Sequence, residues 1–382
     1  MQLVEAEWPA SHREGIYFNS GSCGVKPISV LSALEEGYRR LNKNPTIMTF
    51  VETEIWDETR KQARELFDAK SDTLFLTQNS TFGIQLLMQS FLRSPGDEFV
   101  TTDQEHSCVR TLSTFLAQKR GIVCKSAKLE AEKGSEHLTD SLLALVGEKT
   151  KLVLVSQINC LNGWRPNLTR LNYELRRLGI PLLVDGAHAP GQGPINVSPY
   201  PLWVASGHKW MGGPNGTGFL FVDPIYIDQL EPLLVGDRFI DPHRNPADVH
   251  RFEWPGTCDP LRWLGLQAAI RLQQRLDPVA IVHRQMQLKK YLQDALREKL
   301  ASCELLTPES DDESSGILAV RWSPERLKTS DLRATLWKDH KIWVQPDFSS
   351  QTPGYGLRLS CHPFIQETDI DTLIAALVQV TH

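Results

Sequence analysis

No stretch of this sequence approaches the roughly 18 to 20 uninterrupted apolar residues that a membrane-spanning helix requires, although 41% of its 382 residues are apolar. The start, MQLVEAEWPASHRE, has acidic residues where a secretory leader has a basic end and an apolar core. A cytoplasmic protein with no membrane partner is expected. Cysteine is scarce and unpatterned: seven residues, an odd number, widely scattered and without a CxxC, which argues against both a disulfide framework and a zinc site. No metal is expected. Positive charge is not in excess, with 41 Lys and Arg against 46 Asp and Glu and a net charge of −5. With no Lys/Arg stripe interleaved with aromatics, nucleic acid is not an expected partner. Internal repeats and low-complexity segments are absent as well.

What is present is alternation. From about Thr73 onward, short apolar runs alternate with stretches of helical spacing: TLFLT, a helix from Ser80, EFVTT, a helix from Ser107, GIVCKSA, then KLVLVS and a helix near Leu168. This order predicts an α/β fold with a mainly parallel sheet covered by helices. PLWVAS and GTGFLFV continue the strands, and residues 28–41 and 53–67 have helical spacing upstream. At 382 residues the chain exceeds one ordinary domain. After an irregular stretch at 235–257 the pattern changes to helices over 261–276 and 278–300, then GILAVRW, a helix over 330–339, KIWVQ, YGLRLS and a helix from Thr368. A smaller α+β domain is predicted there. The acidic ESDDESSG at 309–316 reads as a solvated turn.

Two motifs concentrate the chemistry. LLVDGAHA at 182–189 puts Asp185 at the end of an apolar run, where a carboxylate is costly unless it meets a cation. SGHKW at 206–210 puts Lys209 between a histidine and an aromatic, where its amine can be desolvated and made nucleophilic for imine formation. A protonated pyridine nitrogen facing Asp185 and an aldehyde captured by Lys209 describe a pyridoxal phosphate site. GGPNGTG at 212–218 lacks the GK[ST] ending of a nucleotide loop and reads as a turn leaving the site.

These motifs resemble the class V aminotransferase group of fold-type I pyridoxal phosphate enzymes. That group includes cysteine desulfurases, cysteine and cystine C–S lyases, isopenicillin N epimerase-like proteins and hercynylcysteine sulfoxide lyases. The landmarks fall in order along most of the chain: YFNSGSCGVKP at Tyr17, TQNSTFGIQ at Thr77, DQEHS at Asp103, VDGAH at Val184, SGHKW at Ser206, EWPGT at Glu253 and GLRLS at Gly356. EWPGTCDP leans toward the epimerase-like and sulfoxide-lyase branch. The resemblance implies an N-terminal segment bordering the active site over 1–27, a large cofactor-binding domain over 28–257 with a mainly parallel seven-stranded sheet, and a small C-terminal α+β domain over 258–382.

It also implies roles. Lys209 holds the cofactor, and its freed amine moves the substrate's Cα proton. Asp185 keeps the pyridine nitrogen protonated. His188 hydrogen-bonds the phenolic oxygen or the neighbouring imine, and His106 stacks on the ring and offers a proton relay. Ser80 and Thr81 form a phosphate cup at a helix start, where free N–H groups and the dipole favour an anion. Ser206 and His208 add phosphate contacts, and Gly256 with Thr257 reaches the phosphate from a second subunit, which implies a homodimer. Arg358 forks onto the α-carboxylate of an amino-acid substrate, and Asn19, Ser20 and Gly21 border the substrate pocket. Within SQINCLNG at 156–163, Gln157, Asn159 and Asn162 are alternatives for a further cofactor contact. Trp164, Trp254 and Trp343 either line a pocket for a larger substrate or pack the core.

The resemblance orders the possible reactions too. Cysteine desulfurases carry a nucleophilic cysteine upstream of the matching arginine, and the corresponding stretch here, KIWVQPDFSSQTPGY at 341–355, has none. Neither Cys258 nor Cys361 fits that position. The expected reaction is β-elimination by a carbon–sulfur lyase: Lys209 takes the Cα proton of cysteine or an S-substituted cysteine, sulfur leaves Cβ, and pyruvate and ammonia follow. Epimerisation, with His106 donating from the opposite face, is the alternative. Transamination comes third, and a non-enzymatic pyridoxal phosphate-binding protein last.

Overall fold

Strands covered on both faces are built from unbroken apolar runs, and such runs form the centre of this molecule. The computed structural model describes residues 1–236, 249–253, 256, 258–300, 302–308, 313–322, 329–346 and 356–381. The first part of the chain comprises α1 (Gln2–Glu7), β1 (Ile16–Tyr17), α2 (Ile28–Lys43), α3 (Pro45–Leu66), β2 (Leu74–Thr77), α4 (Ser80–Phe91), β3 (Glu98–Thr102) and α5 (Ser107–Arg120). It continues with β4 (Val123–Ala127), α6 (Gly134–Leu143), β5 (Thr150–Ser156), α7 (Thr169–Arg177), β6 (Leu182–Asp185), β7 (Leu202–Ser206) and β8 (Gly218–Val222). Then come α8 (Leu261–Arg275), α9 (Pro278–Lys299), β9 (Glu304–Leu305), β10 (Ile317–Arg321), α10 (Thr329–His340), β11 (Ile342–Trp343), β12 (Gln345–Pro346), β13 (Gly356–Ser360) and α11 (Glu367–Thr381).

The expected mainly parallel seven-stranded sheet is present, in the order β2-β8-β7-β6-β5-β3-β4. Only β8 is reversed, antiparallel to both β2 and β7. The connection from Ser206 to Gly218 is shorter than the crossover of about a dozen residues or more that a parallel pair needs. Alternation along each strand sorts side chains between two faces. Val153, Val155, Val184 and Trp203 join α3, α6, α7 and α8 on one face. Leu152, Leu154, Leu183 and Val204 join α4 and α5 on the other. Burial of each such side chain contributes roughly 1.5–3 kcal/mol.

The two sheet edges are protected differently. At β4, Lys125 pairs with Glu98 at 2.7 Å. At β2, the edge N–H of Leu76 donates to the carboxylate of Glu253, which also pairs with Arg60 of α3 in a buried contact. Glu253 of the EWPGT motif is thus a structural anchor that fastens its loop to the sheet.

A second core collects Leu288 and Leu292 of α9, Val320 of β10, Leu357 of β13 and Leu373 of α11. Val4, Trp8 and Phe18 from the N-terminal segment pack into it. The same segment is tied in by β1, which runs parallel to β11 with Ile16 opposite Ile342 and Tyr17 opposite Trp343. Helix α8 serves both cores, with Trp263, Leu266 and Ile270 on the large sheet and Leu272 in the second core.

Several expectations differ from the structure. Helices α1 and α6 were not foreseen, and Lys133-Gly134-Ser135 at the start of α6 has the composition of a turn. The run at 309–316 is not simply a solvated turn. Residues 309–312 lie outside the described residues, but Glu313 accepts from Ser135 Oγ at 2.6 Å and from Trp164 Nε1 at 3.0 Å, and Ser314 and Ser315 are buried. Trp164 is a core residue, and Trp343 packs edge-on against Trp337 with centroids 5.4 Å apart. Trp254 lies outside the described residues.

Candidate active site

Parallel strands leave their carboxyl ends and the following helix starts on one edge of the sheet, where α/β proteins gather ligand groups. A cavity of about 440 Å³ opens there. Ser80, Thr81, His106, Asp185, His188, Ser206, His208, Lys209 and Arg358 all line it. A larger cavity of about 1090 Å³ lies at the opposite strand ends, beside Asp97, Thr150 and Pro181, and its lining contains neither histidine nor cysteine. Size does not select the site; chemistry does.

Lys209 sits in the loop that joins β7 to the reversed β8. The loop closes on itself: Gly207 N–H donates to Thr217 O at 3.0 Å, Gly213 N–H to Gly207 O at 2.8 Å and Gly212 N–H to Lys209 O at 3.1 Å. Gly212 has φ +71, which suits the turn. Gly24 seals the back of the loop, its N–H donating to His208 O at 2.8 Å. A Cβ at Gly24 would lie 1.9 Å from the Lys209 carbonyl oxygen, so only glycine permits this approach.

Burial holds the Lys209 amine below its ordinary range, with Arg358 adding to the effect and Asp185 opposing it. The Lys209 Nζ lies 3.0 Å from His188 Nε2. His188, buried at the end of the β6 motif, is held well below the usual histidine range by burial first and then by Lys209 and Arg358. Asp185 is buried too, and one carboxylate oxygen accepts from Ala187 N–H at 2.9 Å. Burial pushes its carboxyl up while the Lys209 charge pulls it down. Here a carboxylate needs a cation and an amine is inclined to lose one.

His106 is the N-cap of α5, its Nδ1 accepting from Cys108 N–H at 3.2 Å. Burial, then the charges of Lys209 and Arg358, lower it to about 4. Glu105, immediately before it, is fully buried and accepts from Thr102 Oγ1 at 2.9 Å, Ser156 N–H at 3.3 Å and Ser156 Oγ. Burial pushes that carboxyl up to about 7 against the pull of the Ser156 hydrogen bond.

The other end of the cavity suits an anion. Asn79 caps α4 by accepting from Phe82 N–H at 2.9 Å. Ser80 N–H points to Ser206 Oγ at 3.3 Å, and the two hydroxyls lie 3.0 Å apart, bringing β7 to the helix start. Ser80 and Thr81 thus face the cavity on the positive end of a twelve-residue helix.

Arg358 projects from β13 and is clamped: Nη1 donates to Cys160 O at 2.9 Å, and Nη2 to Ser22 Oγ at 2.7 Å and Asn19 Oδ1 at 3.4 Å. Gln345 closes the ring, accepting from Asn19 Nδ2 and Ser22 Oγ, each at 3.3 Å. Gly21, Ser22 and Gln345 line the cavity, whereas Asn19 holds Arg358 from behind. Ser20 is fully buried, and its hydroxyl has no hydrogen-bond partner among the described residues. Of the expected N-terminal border, Gly21 lines the cavity, and Ser22 joins it. Ser22 and Gln345 were missed by sequence reasoning; the second serine of NSGSC was the available signal for the first of them.

None of the three alternatives within 156–163 lines the cavity. Gln157 accepts from Trp203 Nε1 at 2.9 Å, Asn159 donates to Gln104 O at 3.1 Å, and Asn162 accepts from Trp164 N–H at 3.0 Å. The residues between them, Ser156, Ile158 and Cys160, line the cavity instead. Gly256 has φ +103 and nothing within 4 Å of the place a Cβ would take. It does not line the cavity. Thr257 lies outside the described residues.

The donor set fits pyridoxal phosphate: an amine inclined to be uncharged, a buried acid that lacks a strong cation, a capped helix start and a histidine edge, around a volume in the range of small-cofactor sites. The family model for aminotransferase class-V matches residues 16–373. Over 383 residues the chain is 30% identical to isopenicillin N epimerase of Streptomyces clavuligerus, covering 96% of this chain and 95% of that protein. It is 24% identical to a probable cysteine desulfurase of Pyrococcus abyssi, covering 96% and 94% respectively. In fold it is similar to the cystine C–S lyase C-DES, solved with its reaction product cysteine persulfide, at a TM-score of 0.86 and 24% identity over 97% of this chain and 98% of that one.

Proposed function

The chain belongs to the class-V aminotransferase family of pyridoxal phosphate enzymes, and from that premise we propose that it is a carbon–sulfur lyase acting on cysteine or an S-substituted cysteine. The observation that carries the reading concerns thiols. Among the described residues that line the cavity, the one cysteine is Cys160, whose thiol burial pushes up to about 12. A protonated thiol is a poor sulfur acceptor, and the 341–355 stretch contains no cysteine. The site has the frame of a desulfurase without its nucleophile.

When bound, pyridoxal phosphate supplies an aldehyde for a lysine amine and a protonated ring that draws electrons away from the substrate's Cα. Asp185 would hold the proton on the ring nitrogen. Ser80, Thr81, Ser206 and His208 would hold the phosphate, and His106 would border the ring. Arg358, already clamped by Ser22, Asn19 and the Cys160 carbonyl, receives the substrate carboxylate and orients the Cα–H. Lys209 Nζ takes the Cα proton, sulfur leaves Cβ as a thiolate, and the released three-carbon remainder hydrolyses to pyruvate and ammonia.

Epimerisation is the second reading, favoured by the identity to isopenicillin N epimerase. It needs a proton donor on the opposite face, and His106, lowered to about 4, is neutral at physiological pH. Gly256 and Thr257 are proposed to reach the phosphate of a second subunit in a homodimer. A reducing, cytoplasmic setting accords with the free thiols of Cys23, Cys108, Cys124, Cys160, Cys303 and Cys361; among the described residues no helix is long and apolar enough to cross a membrane.

The test is incubation with S-substituted cysteines, and separately with cysteine itself, in deuterated water. Release of pyruvate and thiol in equal amounts is the expected result. Deuterium at Cα without pyruvate identifies an epimerase, and alanine with a protein-bound persulfide identifies a desulfurase; either overturns the reading.

A further inference from the structure

Trp210 follows Lys209 directly and is 1% exposed. Its indole Nε1–H donates to Nδ1 of His188 at 3.3 Å. An indole nitrogen can only donate, so Nδ1 must offer a lone pair. A neutral imidazole has a single N–H, which therefore sits on Nε2. Nε2 is the atom that faces Lys209 Nζ at 3.0 Å. That contact is favourable only when Nζ accepts, and an ammonium has no lone pair with which to do so. To accommodate an ammonium, the imidazole proton would have to move to Nδ1 and point straight at the indole N–H. An imidazolium fares no better, since it adds a second charge in the same buried space.

We propose that Trp210 is a positioning residue whose N–H fixes His188 as the Nε2–H tautomer, and that this N–H in turn selects the uncharged form of Lys209. The inference rests on the reading of Lys209 as the amine that holds the cofactor. Trp210 is itself held in place. Its carbonyl accepts from His362 Nε2 at 3.1 Å, and its ring stacks on His362 with centroids 6.1 Å apart and planes 15° apart. Gln192 Nε2 also donates to the main-chain carbonyl of His188 at 2.8 Å. The other groups around Lys209 are Asp185 from β6, Arg358 from β13, Cys108 of α5, Cys160 beyond β5, and His106 and His208. Asp185 favours the ammonium while Arg358 opposes it, and the two thiols, pushed up by burial, carry no charge at neutral pH. These are contests of charge at a distance; the indole–imidazole pair adds a directed donor.

The cofactor-free full chain labelled with ¹⁵N-histidine provides the test, with the His188 signals assigned by their loss in His188→Gln. Long-range couplings in the parent are expected to show the proton on Nε2 and a bare Nδ1. Trp210→Phe keeps most of the ring volume and removes the donor. It should let the Nδ1–H tautomer appear, and the fraction of reactive Lys209 amine at neutral pH, read by acetic anhydride labelling, should fall roughly 2- to 10-fold. A parent His188 protonated on Nδ1 overturns the inference, as does a Trp210→Phe chain in which tautomer and Lys209 reactivity are both unchanged. Should Trp210→Phe not fold, the parent tautomer decides alone. Failure of the cofactor reading is separate: borohydride would then fix no pyridoxal phosphate on Lys209, whatever the tautomer.

Discussion

The guanidinium of Arg358 and the hydroxyl of Ser22 meet at 2.7 Å although 336 positions separate them in the chain. Hydrogen bonds to charged groups contribute about 1.5–3 kcal/mol. Ser22→Ala should therefore loosen the clamp and raise KM for the amino acid about 10-fold, with a smaller change in kcat, as measured by steady-state kinetics. Equal losses in both parameters would place Ser22 in the chemical step instead.

Lys209→Ala removes both the amine that captures the aldehyde and the base for the Cα proton. Turnover should fall by about 10³-fold or more, since a positioned general base alone contributes 10²–10⁴. The purified variant should also lack the yellow colour that borohydride bleaches in the parent. A variant as yellow and as active as the parent would remove Lys209 from the mechanism.

Cys160→Ala should keep pyruvate release within about 3-fold of the parent, because the thiol, pushed up to about 12, stays protonated at neutral pH. Its carbonyl, which serves Arg358, is retained in the variant. Complete loss of activity would instead point to a thiol acceptor and desulfuration.

Glu105 should make the protein less stable as pH rises. Its carboxyl is raised to about 7 in the folded state from 4.5, so between these values the unfolded chain has lost the proton that the folded one keeps, and stability falls with increasing pH. Across that window the loss is about 3 kcal/mol, and Glu105→Gln should abolish it. His106, His208 and His362, lowered to about 4, 4 and 3, give the opposite slope below pH 6.5. The parent-minus-variant difference in urea unfolding, measured from pH 4.5 to 8, isolates the carboxyl.

Arg60→Met removes a cation paired with the buried Glu253 carboxylate and should cost about 3 kcal/mol, read as a lower urea midpoint. Arg60→Met with Glu253→Gln should recover part of the loss, because the buried charge goes with its partner.

The meeting of Lys209, Asp185 and His188 in one cavity was legible because each lies in or just after a contiguous motif at a strand end. The α/β order was legible for the same local reason, since strands covered on both faces spell themselves in unbroken apolar letters. The reversal of β8 depends on loop length, and α6 hides behind Gly134 and Ser135. Ser22 and Gln345 act only through Arg358, and Trp210 only through His188, so no window of sequence contains their partners. The stretch at 156–163 shows how fine the limit is. Its polar residues drew attention, yet the turn that follows β5 ties Gln157, Asn159 and Asn162 to Trp203, Gln104 and Trp164 and leaves Ser156, Ile158 and Cys160 to line the cavity.

The parallel pairing of β1 with β11 also sets a timetable. Ile16 and Tyr17 are synthesised long before Ile342 and Trp343, the strand they pair with. A nascent chain that already holds Lys209, Asp185 and His106 lacks both the strand that seats β1 and the arginine that follows it. Contacts this distant in sequence are slow to close, so catalytic competence arrives late in synthesis, and an interrupted translation product remains inert toward amino acids.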